Sequence, residues 1–198
     1  MSARAPRLVI GGTGSGCGKT TITCALLQAF VERGLDTAAF KCGPDYIDPM
    51  FHSRIIGTRS RNLDAFLCGR EQVPALLQHS AGRDISVIEG VMGYYDGLDG
   101  TSSENSTADI ARLTQSPTVL VVSAKGMSLT LAALLRGFLQ FEQNTIRGVI
   151  LNGISPRMTD YYAGIVEQNT GLSVFGAMPT DAACAVESRH LGLVTAGE

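Results

Sequence analysis

The feature that most constrains the fold of this chain is a glycine-rich segment, GGTGSGCGKTT, at residues 11–21. It follows the apolar run RLVIGG (7–12) and opens TTITCALLQAFVERG (20–34), whose apolar residues recur at helical spacing up to Gly34, a typical helix C-terminus. Glycines between a strand and a helix let backbone N–H groups surround phosphate oxygens, and the helix N-terminus adds a positive dipole end. The segment therefore predicts a phosphate-binding loop.

Two side chains at the end of this loop carry its chemistry. Lys19 is expected to reach the β- and γ-phosphates of ATP, and the Thr20 hydroxyl to bind Mg²⁺. The usual spacing, G-x-x-x-x-G-K-S/T, would place the first glycine at Thr13, whereas here it is Gly12. The alternative is a glycine-rich turn with an incidental lysine, which the strand–loop–helix context disfavours. The residues assigned to ATP binding are Gly12, Thr13, Gly14, Ser15, Gly16, Cys17, Gly18, Lys19, Thr20 and Thr21.

Short apolar runs alternate with helix-period segments along the rest of the chain, which predicts βα units around a mainly parallel sheet flanked by helices. The predicted strands are residues 7–12, 37–42, 84–90, 117–123, 146–152 and 172–178. The predicted helices after the first lie within residues 71–80, 106–115, 127–141 and 159–170. We therefore predict one α/β domain over residues 1–198.

Two long stretches without a repeating pattern each follow a predicted strand, and we expect both to be loops: residues 42–64 and 90–106. In open α/β sheets, ligands bind at the carboxyl ends of the strands. Both loops should therefore face one crevice, together with the phosphate-binding loop.

Composition narrows the classes of partner. The net charge of −2 and isoelectric point near 5.9 provide no basic excess to displace counterions from a nucleic-acid backbone, so we expect no nucleic-acid binding. The five cysteines form no CxxC pair, which favours reduced thiols in a cytoplasmic protein. The N-terminus lacks the apolar core of a signal peptide, and no apolar run reaches the roughly 18 residues of a membrane span, so we expect no membrane association.

Acidic residues near predicted strand ends are candidates for the far side of a Mg²⁺–nucleotide site. Glu89 closes the apolar strand DISVIEG, where a terminal acid has no packing role. Asp45 lies in GPD and Asp96 in GYYDG, and either acid alone is typical of a turn. Together with Glu89 and the phosphate-binding loop, they favour a metal and substrate site.

Six sequence blocks resemble one family. The most specific are FKCGPDYIDPMFH (40–52) and EGVMGYYDG (89–97). The other matching blocks are GTGSGCGKTT (12–21), SRNLDAF (60–66), STADIARL (106–113) and ESRHLGLV (187–194). In their order along the chain they resemble the synthetase domain of the cobyrinic acid a,c-diamide synthase family, whose P-loop is of the dethiobiotin synthetase type.

The resemblance implies a dethiobiotin synthetase-like fold and an ATP-dependent carbon–nitrogen ligase of cobalamin biosynthesis. Such enzymes amidate the a and c acetate carboxylates of cobyrinic or hydrogenobyrinic acid through an acyl phosphate, with ammonia taken from glutamine. By resemblance, Thr20, Asp45 and Glu89 surround Mg²⁺. Lys41 steadies the transferring phosphoryl group or the substrate carboxylate, while Asp48 and Asp96 position the substrate or deprotonate ammonium.

The resemblance also implies a substrate pocket. Tyr46 and Ile47 are expected to line it against the macrocycle. Arg61 lies within a matching block and is the arginine that we expect to bind a substrate carboxylate, ahead of Arg54 and Arg59.

Further positions follow from the same resemblance. Asn152 aligns with the residue that contacts adenine in dethiobiotin synthetase-like enzymes, and Pro179 is expected to flank the base. His52 and His190 are expected to make structural hydrogen bonds. Ser123 stands where relatives commonly have an aspartate, which weakens any metal or hydrogen-bonding role at that position.

The full-length family enzyme carries a C-terminal glutaminase domain with a cysteine nucleophile and a partner histidine. Cys184 lies in DAACAVE without flanking glycines, and the histidines are His52, His79 and His190. We therefore expect this chain to be the synthetase domain alone, with ammonia supplied by a separate glutaminase or by solution. Dethiobiotin synthetase-like enzymes are commonly dimers, so a homodimer and a monomer both stay open.

Three alternatives stay open. Close relatives amidate a nickel sirohydrochlorin, which presents the same acetate groups. The partition and septum-positioning ATPases are nucleotide switches with K-G-G-x-x-K-S/T, whose signature lysine would occupy the position of Gly14. A dethiobiotin-like carboxylase is the third, although that family lacks GPDYIDP and RHLGL.

Overall fold

A computed structural model describes residues 6–80 and 82–180, and the structural statements below concern those residues. Its strands are β1 (Arg7–Gly12), β2 (Thr37–Cys42), β3 (Arg61–Leu63), β4 (Ile85–Glu89), β5 (Thr118–Ser123), β6 (Ile146–Asn152) and β7 (Ser173–Met178). They form one sheet in the order β3-β2-β4-β1-β5-β6-β7, and all neighbours are parallel. The predicted α/β class with a mainly parallel sheet is confirmed, and the six predicted strands agree to within one residue at each end.

The helices lie between the strands. They are α1 (Lys19–Glu32), α2 (Ile47–Ile56), α3 (Ala65–Cys68), α4 (Gln72–Leu77), α5 (Thr107–Leu113), α6 (Leu129–Phe141) and α7 (Thr159–Thr170), with 3₁₀ turns at Gln78–Ser80 and Pro156–Met158. The first helix ends just before Gly34, whose φ of +77° is the left-handed conformation that closes a helix most readily with glycine.

Alternate residues of the central strands pack on opposite faces of the sheet, so the fold has three layers. Val9 and Ile88 belong to a core cluster that also contains side chains of α4, α5, α6 and α7. Ile10 and Val87 belong to a second cluster with Ile22 of α1, and α2 packs on the same face through Ile55 and Ile56. The two apolar faces explain why these strands are almost continuously hydrophobic.

The prediction of a loop over residues 42–64 is wrong, because this stretch contains α2 and β3. Helix α2 buries Asp48 and His52 beside Ile47 and Pro49, so polar residues occupy much of the face where an apolar periodicity would have marked a helix. Strand β3 is three residues long and gains its order from pairing with β2. The other predicted loop, residues 90–106, forms neither helix nor strand, as expected.

The order of the strands reverses at β1, whose neighbours are β4 on one side and β5 on the other. The loop that follows β1 is the glycine-rich segment, and the carboxyl ends of β2 and β4 lie at the same edge of the sheet. This is the topological switch point at which α/β proteins bind ligands.

Within the described ranges, we find no helix with the length and hydrophobicity required to cross a membrane.

Candidate active site

The phosphate-binding loop connects β1 to α1 at the carboxyl edge of the sheet. Its Lys19 is 8% exposed, and Nζ donates to the backbone oxygens of Gly14 (3.0 Å) and Met92 (2.6 Å). Burial lowers the pKa of Lys19, because neutral carbonyl partners compensate little of the charge that is withdrawn from water. The loop thus holds a cation that an anionic ligand would stabilise.

Asn152, at the end of β6, lies against this loop. Its Nδ2 donates to the backbone oxygen of Cys17 at 2.9 Å. Gly18 has a φ of +99°, and a Cβ added there would lie 2.2 Å from Asn152 Nδ2, so the close approach requires glycine. Pro179 is exposed and follows Met178, the partner of Asn152 in the sheet. The two residues assigned to adenine therefore share an edge of the sheet with the phosphate-binding loop.

A buried cluster, defined here as Lys41, Asp48, His52 and Glu89, joins β2, α2 and β4. Lys41 Nζ lies 2.7 Å from Asp48 Oδ2 and 3.1 Å from Glu89 Oε1, and it donates to the backbone oxygen of Gly90 at 2.8 Å. His52 Nε2 lies 2.7 Å from Glu89 Oε2. None of the four residues is more than 4% exposed. Lys41 and Glu89 meet because they are register partners on neighbouring strands.

The charge of Lys41 is compensated within the buried cluster. Burial by itself would lower the pKa of Lys41, but the carboxylates of Glu89 and Asp48 outweigh it, and the pKa of Lys41 is raised. The ammonium group has three hydrogens and three acceptors around it, so Lys41 is held protonated and fixed in place. Beside it, burial raises the pKa of the Cys42 thiol to about 12, which leaves that sulfur unreactive.

One hydrogen bond connects the phosphate-binding loop to the buried cluster. Thr20 Oγ1 donates to Glu89 Oε1 at 2.7 Å. Because the hydroxyl gives its only hydrogen to Glu89, the lone pairs of Thr20 stay available to a cation. Hydroxyl and carboxylate oxygens are the ligands that Mg²⁺ prefers, so this pair fits that ion. No group of three or more His, Cys, Asp or Glu side chains arranged for a metal occurs within residues 6–80 and 82–180.

Asp45 and Asp96 are bonded within their own turns. Asp45 Oδ1 accepts from the backbone N–H groups of Ile47 (2.8 Å) and Asp48 (3.3 Å), at the start of α2. Asp96 is exposed, and its Oδ2 accepts from the N–H of Gly93 at 2.8 Å. Each acid shows the turn chemistry that Asp commonly provides.

The residues predicted to line a substrate pocket differ in their exposure to solvent. Tyr46 is 70% exposed, and Met50 on the next turn of α2 is 42% exposed, which gives an apolar surface beside Asp45. Ile47 is buried, at 6% exposure, and offers little surface to a ligand. Arg61 is exposed at the start of β3.

Sequence reasoning did not identify two further contributors to the site. The backbone oxygen of Met92 accepts from Lys19, and a backbone group of this kind has no signature in a sequence. Ser60 lies behind His52 and links it to β2. The spacing of Asp48 and His52, one helical turn apart, was the available signal for a polar face on α2. His190 and Cys184 lie outside the described residues.

Comparison with known proteins identifies the family. Residues 8–194 match the CobQ/CobB/MinD/ParA nucleotide binding domain. The chain belongs to this family. Among solved structures, this nucleotide binding domain is similar to the cell division protein MinD of Aquifex aeolicus, with a TM-score of 0.62 and 16% identity over 90% of this chain and 84% of that one. It also resembles chloroplast FtsY of Physcomitrella patens, with a TM-score of 0.65 and 15% identity over 93% of this chain and 65% of that one. These similarities show the P-loop fold.

Curated relatives of this nucleotide binding domain are more similar in sequence. It is 44% identical to the cobyrinate a,c-diamide synthase of Thermoplasma volcanium over 197 residues, which are 98% of this chain and 43% of the relative. It is 45% identical to the hydrogenobyrinate a,c-diamide synthase of Streptomyces coelicolor over 195 residues, 98% of this chain and 40% of the relative. The resemblance stated from the sequence blocks is thus confirmed. The chain spans about two fifths of the length of these relatives.

Proposed function

We propose that this chain is the ATP-dependent synthetase part of a cobyrinate or hydrogenobyrinate a,c-diamide synthase, a carbon–nitrogen ligase of cobalamin biosynthesis. The observation that carries the chemistry is the 2.7 Å hydrogen bond from Thr20 to Glu89, which joins the phosphate-binding loop to the buried cluster. Similarity to synthases of both names over 98% of the chain supports the substrate class.

The reaction has two steps for each carboxylate. A carboxylate oxygen of the ring attacks the γ-phosphorus of ATP, the bond to the bridging oxygen breaks, and ADP leaves with its electron pair. Ammonia then attacks the acyl carbon, phosphate leaves, and the nitrogen loses a proton to give the amide. Activation is needed because a carboxylate is a poor electrophile, and the protein contributes mainly positioning and charge neutralisation.

The phosphate side of the crevice is formed by the loop itself. Lys19 would exchange its carbonyl partners for phosphate oxygens, and Asn152 and Pro179 would border the base. Thr20, Glu89 and Asp45 would hold Mg²⁺, which neutralises phosphate charge when bound. Lys41 already directs three hydrogens at protein acceptors, so we propose that its charge acts on the phosphoryl group or the substrate carboxylate from within the buried cluster.

The substrate side is formed by the segments after β2 and β4. Asp96 uses one oxygen in a turn, and we assign this acid to positioning the ring carboxylate or accepting a proton from ammonium. Asp48 forms an ion pair with Lys41 and acts on this site through that lysine. Tyr46 would lie against the macrocycle, and Arg61 would bind one of its other carboxylates. Ammonia would come from a glutaminase partner or from solution.

Mass spectrometry of the ring after incubation with ATP, Mg²⁺, excess ammonium and cobyrinic or hydrogenobyrinic acid tests the proposal. We expect amidated product from the native chain, loss of product in Lys19→Ala and Asp45→Asn, and native yield in the control Asp36→Asn. Asp36 is an exposed acid that pairs with Arg83 at the opposite edge of the sheet.

Other outcomes of the same experiment favour the alternatives. Product from a nickel sirohydrochlorin alone would reassign the ring. ATP-dependent self-association with no amide product from any ring would favour a nucleotide switch, and the proposed ligase would be wrong.

A further inference from the structure

His52 is the member of the buried cluster that has no part in the proposed reaction. It is fully buried, with 0% exposure, and therefore has no surface on which to touch a nucleotide or a ring. Its Nε2 nevertheless lies 2.7 Å from Oε2 of Glu89, the acid that also accepts from Thr20. An effect of His52 on the site must pass through Glu89.

The two oxygens of Glu89 have different partners. Oε1 accepts from Thr20 Oγ1 (2.7 Å) and Lys41 Nζ (3.1 Å), at the side of the phosphate-binding loop. Oε2 faces only His52 among the hydrogen bonds of the described residues. An ionised carboxylate can only accept, so the imidazole carries a hydrogen on Nε2 and donates it. His52 thus fixes the rotation of the carboxylate that presents Oε1 to Thr20.

The imidazole is itself held from behind. Its Nδ1 lies 3.4 Å from Ser60 Oγ, and this hydroxyl also lies 3.1 Å from the backbone oxygen of Ala39 in β2, so its one hydrogen is shared between two acceptors, the ring nitrogen and the strand carbonyl. The N–H of Ser60 donates to Ser53 Oγ at 2.9 Å, and Ser53 donates to the backbone oxygen of Pro49 in α2. The orientation of the ring is therefore tied to both the strand and the helix that flank it.

We propose that His52 is a positioning residue: together with Ser60 it locks the Glu89 carboxylate so that Thr20 and Glu89 offer a preformed pair of oxygens to the divalent cation of a bound nucleotide. This inference rests on the proposed function, because it requires that the site binds a Mg²⁺–nucleotide. Groups that orient a metal ligand from behind typically change metal affinity by about 10- to 100-fold when they are removed.

Two substitutions of His52 distinguish the contribution of one ring nitrogen from that of the other. In His52→Gln, the amide nitrogen can occupy the place of Nε2 and still donate to Glu89. In His52→Asn, the shorter amide can reach only the place of Nδ1, so the contact with Ser60 is kept and the contact with Glu89 is lost. A milder third variant, Ser60→Ala, leaves both ring nitrogens in place and removes the support behind them.

The measurement is calorimetric binding of a non-hydrolysable ATP analogue to the full chain, once with Mg²⁺ and once with a chelator. We expect Mg²⁺ to strengthen binding in the native chain. In His52→Asn this strengthening should fall by about 10-fold, while the affinity measured in the presence of chelator stays native. In His52→Gln the strengthening by Mg²⁺ should be largely restored. In Ser60→Ala it should fall by a smaller factor than in His52→Asn.

A purely structural histidine would give a different pattern. Unfolding midpoints would drop, and affinity would fall equally with Mg²⁺ and with chelator, or His52→Asn and His52→Gln would behave alike. Either result overturns the positioning role. If His52→Asn does not fold, the other two variants decide: the role is overturned if Mg²⁺ strengthens binding in Ser60→Ala as much as in the native chain and no longer strengthens it in His52→Gln. Absence of any Mg²⁺ effect in the native chain would instead refute the nucleotide site on which the inference rests.

Discussion

Two neighbouring regions of the molecule each bury a lysine and treat its charge in opposite ways. In the buried cluster, Lys41 is 4% exposed and surrounded by two carboxylates and a carbonyl, and its pKa is raised. In the phosphate-binding loop, Lys19 is 8% exposed, donates to two carbonyls, and its pKa is lowered by burial. The first region compensates the charge of its lysine with protein groups, whereas the second leaves the charge of its lysine for a ligand to compensate.

The contrast separates stability from binding. A charge that is compensated inside the protein is expensive to expose, because removing one partner leaves the others buried and unpaired. A cation held only by neutral groups costs stability in the free protein and gains its favourable partners when an anion binds. We therefore expect substitution of Lys41 to lower stability and substitution of Lys19 to weaken nucleotide binding.

The largest expected effect comes from replacing each lysine by methionine, which keeps the length of the side chain and removes its charge. Lys41→Met leaves Asp48 and Glu89 without their cation and should lower the free energy of unfolding by about 3–5 kcal/mol. Lys19→Met removes an uncompensated charge and should not lower the free energy of unfolding, yet it should abolish measurable nucleotide binding. Urea denaturation and calorimetry measure the two quantities.

Lys125→Met is the control for this pair, since Lys125 is an exposed lysine beyond the end of β5. It should change stability by no more than about 0.5 kcal/mol. Equal destabilisation in Lys41→Met and Lys19→Met would show that the buried cluster does not compensate its charge as described.

A second pair of variants tests the same contrast among the acids. Asp48 is 3% exposed and bonded to Lys41, so Asp48→Asn should cost about 1–3 kcal/mol of stability. Asp45 is partly exposed and caps the start of α2, a task that asparagine also performs, so Asp45→Asn should cost well under about 1 kcal/mol. In the amidation assay the order should reverse, with Asp45→Asn losing about 100-fold or more.

The reversal is the informative outcome. If Asp45→Asn keeps native amidation, its carboxylate is a turn residue and nothing more. If Asp48→Asn is as stable as the native chain, the 2.7 Å contact with Lys41 is not a buried ion pair in solution.

Much of this arrangement was predictable from sequence, for a physical reason. Strands buried on both faces are continuous apolar runs, and the glycines of 11–21 leave few alternatives to a phosphate-binding loop. The ends of β2 and β4 could be recognised from Lys41 and Glu89, each of which closes or nearly closes an apolar run.

What could not be predicted is how those ends meet. Lys41 and Glu89 are 48 residues apart and become neighbours only because β2 and β4 pair in register, and the order of strands leaves no local trace in the sequence. Helix α2 was missed because Asp48 and His52 occupy its buried face, where the search for a helix expects apolar residues. The same polar face that hid the helix supplies two of the four members of the buried cluster.

The smallest expected effect is a pH dependence of nucleotide binding that belongs to Lys19 alone. Burial holds the pKa of Lys19 below 10.5 in the free protein, and phosphate oxygens favour its charged form and raise that pKa on binding. The affinity for the nucleotide should therefore be highest at pH values below the lowered pKa of Lys19 and decline as pH rises through it. The decline should be up to tenfold per pH unit until the pKa of Lys19 in the complex is reached.

Binding of the ATP analogue without Mg²⁺ between about pH 8 and about pH 10 measures this decline, because the phosphates are already fully ionised there, and the thiols and tyrosines that also titrate in this range are shared with the control variant. Lys19→Arg is the matched control, since a guanidinium keeps its charge throughout the range, so its affinity, whatever its absolute value, should be flat. A decline of equal slope in Lys19→Arg would assign the titration to another group. A flat profile in the native chain would mean that Lys19 is not the uncompensated cation that distinguishes the loop from the buried cluster.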